Sequence, residues 1–411
     1  MEQADVLIVG AGQAGAQTAI SLRQQGFTGS ICLLGDEPDA PYERPPLSKT
    51  YLAGETDAAS LALRPAAFWA DNHVQVLTGE RITAVDAEAR QARCASGGVL
   101  QYGSLVWTAG GQARTLECPG ADLAGVHVVR TRTQVDALRA ELDGLRRAVI
   151  IGGGYIGLET AAVLAKMGCS VTVVEAQERV LARVTSPAVS AFYEAEHRAH
   201  GVQIRTSCAV ASLAGSGGRV QEVILADGTR LPADLVVVGI GLVPEIGVLR
   251  QAGAQCGNGV EVDERCLTSL PHVYAAGDCA SHVNRFAAGA RVRLESVQNA
   301  NDQARVVAAN IAGVPTEYHA VPWFWSHQYD LKLQTVGLSA GHDDSVVRGE
   351  PATRSFSVVY LRAGRVVALD CINAPRDFVL GKKLVTVGAE AARQDLADPK
   401  HDLAKIAARL A

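Results

Sequence analysis

Aromatic residues make up only 5% of this 411-residue chain, so the run Trp323-Phe324-Trp325 stands out against the rest. Nine cysteines are scattered with no C-x-x-C and no regular spacing. That pattern excludes a disulfide framework and fits reduced thiols in a reducing compartment. No stretch approaches the ~20 consecutive apolar residues that a membrane span requires. A net charge of −5 with 20% charged residues argues against a general nucleic-acid or polyanion binder. The first apolar run, Asp5 to Val9, starts too near Met1 to leave room for a signal peptide, and the expected location is the cytoplasm. Metal-ligand clusters are missing too. His197 and His200 have i, i+3 spacing beside Glu194 and Glu196, but no cysteine or further histidine is offered nearby, so the segment reads as polar helix surface without a metal.

Glycine is abundant, and its placement organises the chain. The apolar run Ala148 to Ile151 leads into Gly152, Gly154 and Gly157, spaced G-x-G-x-x-G, and Glu175 follows 18 residues after Gly157. A first glycine permits the strand-to-helix turn, the second lets backbone approach a pyrophosphate, and the third lets helix and strand pack closely. The helix start then offers free N–H groups to phosphate. Glu175 would accept hydrogen bonds from both ribose hydroxyls and repel a 2′-phosphate, which selects NAD over NADP. The same frame occurs at the N-terminus. Gly10, Gly12, Gly15, Ala19 and Gly26 match Gly152, Gly154, Gly157, Ala161 and Gly168 at a constant offset of 142 (152 − 10, 168 − 26). Two dinucleotide units in one chain usually hold two different dinucleotides, and the N-terminal one is typically given to FAD.

In chain order, strand Asp5 to Val9, a helix from Gln13 to about Gln25 and strand Ile31 to Leu34 build the first unit, which closes on Gly35, Asp36 and Glu37. One of these two carboxylates would hold an adenosine ribose. The proline-rich run PYERPPLSK then opens a helix near Leu47 to Leu52. Lys49 is either a surface lysine or a cation beside the N5/O4 edge of a flavin. Short runs between Val74 and Val106 read as antiparallel strands. The chain crosses into the second unit at SLVWTAGGQAR and leaves it at LVVVGIGLVPE, which contains Gly241. Strand Val273 to Ala276 delivers Gly277 and Asp278 to a sheet end, where Asp278 would accept from a ribityl hydroxyl, cap a helix, or do both. A helix starting near Val297 or Gln298 would turn its positive end toward flavin N1/O2. The rings around Trp325 read either as core packing or as a surface for flavin or nicotinamide. Alternating strands and one terminal helix close the chain. The expected architecture is α/β: an FAD domain at 1–112 and 245–325, an inserted NAD domain at 113–244 and a C-terminal α+β domain at 326–411.

With both fingerprints, PYERPPLSK, AAGDCA, ESVQNANDQA and PWFWS taken together, the chain resembles the FAD-containing, NADH-dependent ferredoxin reductases of bacterial cytochrome P450 and Rieske oxygenase systems over essentially its whole length. The run RVLARVTSPAVSAFYEAEHRAHGV is closest to the P450 branch. The resemblance implies a glutathione reductase-like fold. It also implies that Gly10, Gly12, Ala14, Gly15, Asp36, Glu37, Lys49, Ile82, Arg130, Gly277, Asp278 and Val297 touch FAD. Gly152, Gly154, Ile156, Gly157, Glu175 and Gly241 would hold NADH, with Glu159 near the nicotinamide and paired to Lys49, and with Trp325 close to both rings. One departure is visible: Thr108-Ala109-Gly110 stands where the family has A-T-G.

Related disulfide reductases place a C-x-x-x-x-C pair just after the first unit, and peroxidases place a single cysteine there. Here that window holds prolines, Leu47, Ser48 and Lys49. Electrons arriving as hydride would therefore leave singly to an external carrier, and a small [2Fe-2S] ferredoxin is the expected partner. Ferredoxins are usually acidic, so Arg64, Arg291, Arg293, Arg305 and Lys332 are candidates for a basic docking rim. The competing readings are an NADH oxidase or peroxide reductase, which needs a redox cysteine, and a non-enzymatic NADH-sensing flavoprotein.

Overall fold

The computed structural model describes residues 3–408. The chain folds into two compact units. The first takes the chain up to Glu43, then Ala58–Gln112 and Val243–Pro322, and the second takes Arg44–Asp57, Ala113–Leu242 and the chain from Trp323 onward.

The first unit is built on a seven-stranded sheet. Strands Gln3–Val9, Ile31–Leu34, Val74–Leu77 and Val273–Ala275 run parallel in it, and Ile31–Leu34 is a short apolar run buried throughout, as a strand covered on both faces is. The nine-residue strand Val99–Trp107 belongs to two regimes. Its first half pairs antiparallel with Gln91–Cys94, and its second half pairs parallel with Gln3–Val9 and Val273–Ala275. The antiparallel reading holds for Ile82–Asp86, Gln91–Cys94 and Val99–Trp107 but not for Val74–Leu77, which lies parallel to Ile31–Leu34. The short helix Ala66–Asp71 precedes that strand and returns the chain for a parallel crossover.

Helix Gln13–Gln24 buries Ala14, Gly15, Ala16 and Ala19. These small side chains allow close approach to the sheet and to helix Val297–Ile311, against which Gln13 Nε2 donates to Asn301 Oδ1 at 2.8 Å. The helix stops where Gly26 takes φ +78°, and its counterpart Tyr155–Lys166 stops at Gly168 with φ +87°. The repeat thus extends to how each helix ends.

In the second unit, strands Gln203–Arg205, Ser170–Val174, Arg147–Ile151, Leu235–Val238 and Val126–Val128 form a parallel sheet in that order. A three-stranded antiparallel sheet, Val210–Ser216, Arg219–Leu225 and Arg230–Pro232, is attached to the same stretch of chain. The C-terminal part of the unit is a five-stranded antiparallel sheet in the order Trp323–Gln328, Leu331–Gly337, Arg365–Ile372, Ser355–Arg362 and Asp344–Glu350. It is followed by three helices rather than one: Pro375–Val387, Arg393–Ala397 and Leu403–Ala408. Gly388, left-handed at φ 59°, ends the first of them. Buried Arg348 then gathers the remainder, donating to Asp377 and to the carbonyls of Leu396, Asp398, Pro399 and His401.

The helix expected over Leu47 to Leu52 is a 3-10 turn, Pro45–Ser48. Prolines at its first two positions supply no N–H, and the Lys49 N–H closes back on Pro46 O at 2.9 Å. Among the described residues no helix is long and apolar enough to cross a membrane.

Candidate functional site

The two glycine turns repeat each other atom for atom. Gly10 has φ +108° and Gly152 φ +109°, and a Cβ on either would lie 2.3 Å from a carbonyl oxygen, of Thr108 and Gly239 respectively. A Cβ on Gly15 or Gly157 would lie 2.0 or 2.1 Å from the carbonyl of Gly10 or Gly152. The fold itself therefore demands the outer glycines. The middle ones differ: a Cβ on Gly12 or Gly154 would meet nothing within 4 Å. Each is the N-cap of a 12-residue helix that has no side-chain cap and no acid in its first turn. Uncapped N–H groups facing open space at a glycine that the protein does not require are what a pyrophosphate needs. Both turns fit a dinucleotide.

Glu175 stands at the end of strand Ser170–Val174, half-buried, with Oε2 accepting from Gly153 N at 2.7 Å and Oε1 from Gln177 N at 2.8 Å. Its four lone-pair directions leave room for two ribose hydroxyls. Strand register shows why the first unit carries its acid later. Val174 pairs with Ile151 and Leu34 pairs with Val9, so Gly35 is the counterpart of Glu175. A Cβ on Gly35 would sit 2.7 Å from the Ala11 methyl, whereas position 153 is glycine. The acids are displaced to Asp36, which is exposed, and Glu37, whose Oε2 accepts from the Tyr42 hydroxyl at 2.5 Å. Thr108, at the departure from the family's turn, is buried, and its one hydroxyl proton is shared between the carbonyls of Val9 and Gly10 at 3.0 and 2.8 Å, which closes the first glycine turn from below.

The centre of the second unit is a carboxylate. Glu159 lies on helix Tyr155–Lys166 at 2% exposure. Its Oε2 meets Lys49 Nζ at 2.6 Å and Ser48 Oγ at 2.5 Å, and its Oε1 accepts from Ser326 Oγ at 2.6 Å. The Lys49 ammonium also donates to Pro45 O at 3.0 Å. The expected Lys49 to Glu159 pair is present, 18% and 2% exposed at the side chains. Strand Trp323–Gln328 explains the rest by its alternation. Phe324 packs on Tyr155 with centroids 4.7 Å apart and the rings tilted by 36°, and Ser326 and Gln328 point the same way. Trp323, Trp325 and His327 take the other face, and Trp325 is half-buried with the Trp323 ring 5.5 Å away.

Other expected residues are placed as follows. Ile82 is 1% exposed and packs in the core of the first unit, in strand Ile82–Asp86. Arg130 offers its carbonyl to Arg44 Nη1 at 2.8 Å. Gly241 has φ +110° with nothing near its Cβ position, and Ile156 is exposed. Gly277 donates its N–H to Gln303 Oε1 at 2.8 Å. Asp278 lies within the short 3-10 turn Gly277–Cys279 and is not a helix N-cap, because Ala276 holds that position and the turn does not continue into a helix. Helix Val297–Ile311 begins where expected, capped by Ser296 Oγ accepting from Asn299 N. Of the docking candidates, Arg293 is withdrawn. Its side chain is 8% exposed, and it pairs with Glu295 and donates to Asp278 O. Residues missed in the sequence are Ser48, for which there was no local signal, and Ser326 and Gln328, whose period-two pattern with Phe324 was the available one.

All nine cysteines are unpaired. Burial pushes the Cys32 thiol up to about 11 and that of Cys279 up to about 12. The same cause raises Cys94, Cys118, Cys169, Cys256, Cys266 and Cys371.

Residues 4–304 match the pyridine nucleotide-disulphide oxidoreductase family, and residues 323–407 match a reductase C-terminal domain. The chain belongs to that family. This oxidoreductase is 57% identical over 409 residues to the 5,5'-dehydrodivanillate O-demethylase ferredoxin reductase subunit of Sphingobium sp., covering 99% of each chain. Its fold matches the ferredoxin reductase for the CYP199A2 system from Rhodopseudomonas palustris with a TM-score of 0.95 and 42% identity, over 99% of this chain and 100% of that one. It also matches the covalent putidaredoxin reductase-putidaredoxin complex with a TM-score of 0.95 and 41% identity, over 100% of this chain and 99% of that one. As a member of this family it is an FAD-dependent oxidoreductase that uses a pyridine nucleotide.

Proposed function

We propose that this protein carries electrons from NADH through FAD, one at a time, to a small [2Fe-2S] ferredoxin that serves a cytochrome P450. The supporting observation is what occupies the window after the first glycine unit: Ser48 and Lys49, bound to Glu159, in a chain where burial holds the Cys32 and Cys279 thiols in the neutral form. When bound, the flavin supplies the step from a two-electron donor to a one-electron acceptor. The protein supplies placement and charge.

In this reading FAD belongs to the first repeat, with residues 1–112 and 245–325, and NADH to the inserted repeat at 113–244, while 326–411 forms the C-terminal domain. Glu175 selects NADH by accepting from both ribose hydroxyls. Glu159 and Trp325 flank the nicotinamide, and Lys49, held by Glu159 and Pro45 O, presents a cation toward the ring that receives hydride. Arg64, Arg291, Arg305 and Lys332 remain candidates for docking an acidic ferredoxin. Nine free thiols fit the cytoplasm.

A second terminal enzyme, an oxygenase other than a P450 such as a Rieske protein, is favoured by the higher identity to the O-demethylase reductase subunit, 57% against 42% for the P450-system structure. Reconstitution tests the ferredoxin step that both readings share. Each candidate ferredoxin is added to the protein with NADH and cytochrome c. The reading expects rapid cytochrome c reduction only when a cognate ferredoxin is present, and equal rates without any ferredoxin would refute it.

A further inference from the structure

Glu159 is the end of a longer chain of hydrogen bonds. Beyond Ser326, Gln328 Nε2 lies 3.3 Å from Ser326 Oγ, and Gln328 Oε1 lies 2.9 Å from His197 Nε2. His197 Nδ1 lies 3.1 Å from the Tyr329 hydroxyl, and the Tyr329 ring stacks on exposed His200 with centroids 3.7 Å apart. Ser326, Gln328 and His197 are 0%, 1% and 0% exposed, so no solvent competes for the bonds among these three.

The direction of every bond follows from the carboxylate. An ionised carboxylate only accepts, so Ser326 must spend its single proton on Glu159 and can only accept from Gln328. That turns the Gln328 amide nitrogen toward Ser326 and its oxygen toward His197. His197 must then carry its proton on Nε2, which leaves Nδ1 to accept from Tyr329. Burial agrees with a neutral ring, since it pushes His197 down to about 4. Tyr329 adopts φ 57°, a left-handed conformation uncommon for a bulky side chain, in the turn after strand Trp323–Gln328. The two-residue turn between paired Gln328 and Leu331 asks for that conformation, and the hydroxyl bond and stacking fix the ring in place.

We propose that His197 is a positioning residue for hydride transfer, acting through Gln328 and Ser326 to fix the Oε1 side of the Glu159 carboxylate while Lys49 and Ser48 hold the other oxygen. This rests on the reading above that Glu159 works beside the nicotinamide. A carboxylate tethered through both oxygens cannot rotate freely, so the Lys49 ammonium it carries stays at one place and in one orientation. The spacing of His197 and His200 reads as polar helix surface, but His197 is fully buried, and its role here needs no metal.

The test uses the FAD-loaded protein, anaerobic stopped-flow mixing with NADH, and 15N NMR of the histidine ring. In His197→Leu the limiting rate constant for flavin reduction is expected to fall about tenfold with the NADH Kd within about twofold of normal. His197→Gln can still donate to Gln328 Oε1 and is expected to restore the rate to within about twofold. Ser326→Ala should behave as His197→Leu does, which keeps the test alive if the leucine variant folds poorly. The NMR signature expected is a neutral Nε2–H tautomer. An Nδ1–H tautomer, an unchanged rate in Ser326→Ala, or equal losses in the leucine and glutamine variants would overturn the proposal. Glu159→Gln separates the levels. Slow Glu159→Gln with normal Ser326→Ala removes only the chain's role, whereas normal Glu159→Gln removes the underlying reading of the site and this proposal with it.

Discussion

Lys49 Nζ and Glu159 Oε2 meet at 2.6 Å although 110 residues of chain separate them. The carboxylate is almost fully buried and the ammonium mostly so, which makes the pair costly to break from one side. Lys49→Met leaves a buried carboxylate with two serine donors and no cation. The variant should lose about 3 kcal/mol of stability. Its rate of flavin reduction by NADH should fall on the order of 100-fold. Urea unfolding and single-turnover absorbance measure the two effects separately, and a loss of stability with a normal rate would assign the pair a purely structural role.

Glu175 predicts nucleotide choice. Replacement by alanine removes acceptors for two ribose hydroxyls and the charge that opposes a 2′-phosphate. The kcat/KM for NADH should fall about 10- to 100-fold. That for NADPH should fall less or rise, so that the ratio between the two nucleotides narrows. Steady-state kinetics with both nucleotides decides it. An unchanged ratio would contradict the assignment of Glu175 to the ribose.

Asp370 predicts a pH dependence of stability. It is buried, accepts from the Tyr360 hydroxyl at 2.5 Å, and is pushed up by burial to about 7 from an ordinary 3.8. Between those values the folded protein binds a proton that the unfolded chain has released, so this group's contribution is full below pH 3.8 and is lost as pH rises through 7. His197 and His282 act in the opposite sense. Burial lowers both to about 4 from 6.5, so their contribution is present above 6.5 and is lost as pH falls through 4. Asp370→Asn removes only the first dependence. Its stability relative to the native protein should increase with pH by about 1.4 kcal/mol per pH unit up to neutrality and then level off. Urea unfolding at several pH values from 5 to 8 measures it, and a constant difference would contradict the assignment.

Much of this was legible in the sequence because it concerns backbone. The glycine offset of 142 predicts two turns, and the structure repeats them to within 0.1 Å in the distance from a Cβ at the first glycine to the opposing carbonyl, 2.3 Å in both. The Lys49 to Glu159 pair was visible only through family resemblance, since nothing local joins positions 49 and 159. Val74–Leu77 was misread because a short apolar run does not reveal whether its partner runs parallel. The proline run was misread because prolines that start a helix well also permit a 3-10 turn that stops at once. Glu175 has no counterpart at Gly35 for a reason three-dimensional in origin, the Ala11 methyl. Arg293 looked like a surface cation until its carbonyl and carboxylate partners were placed.

The thiols supply a prediction of their own. With Cys32 and Cys279 pushed up to about 11 and 12, neither is a thiolate at neutral pH. Alkylation of the reachable cysteines should leave NADH-dependent ferredoxin reduction within about twofold of normal. A loss of turnover that tracks modification of one cysteine would return the disulfide or peroxide chemistry to consideration.

The most direct measurement mixes the FAD-loaded protein, given one equivalent of NADH without oxygen, with an excess of [2Fe-2S] ferredoxin while free thiols are counted. Two ferredoxins reduced for each NADH consumed, with the thiol count unchanged, is the predicted result. Ferredoxin left oxidised while thiols appear or vanish with NADH consumption would contradict the account.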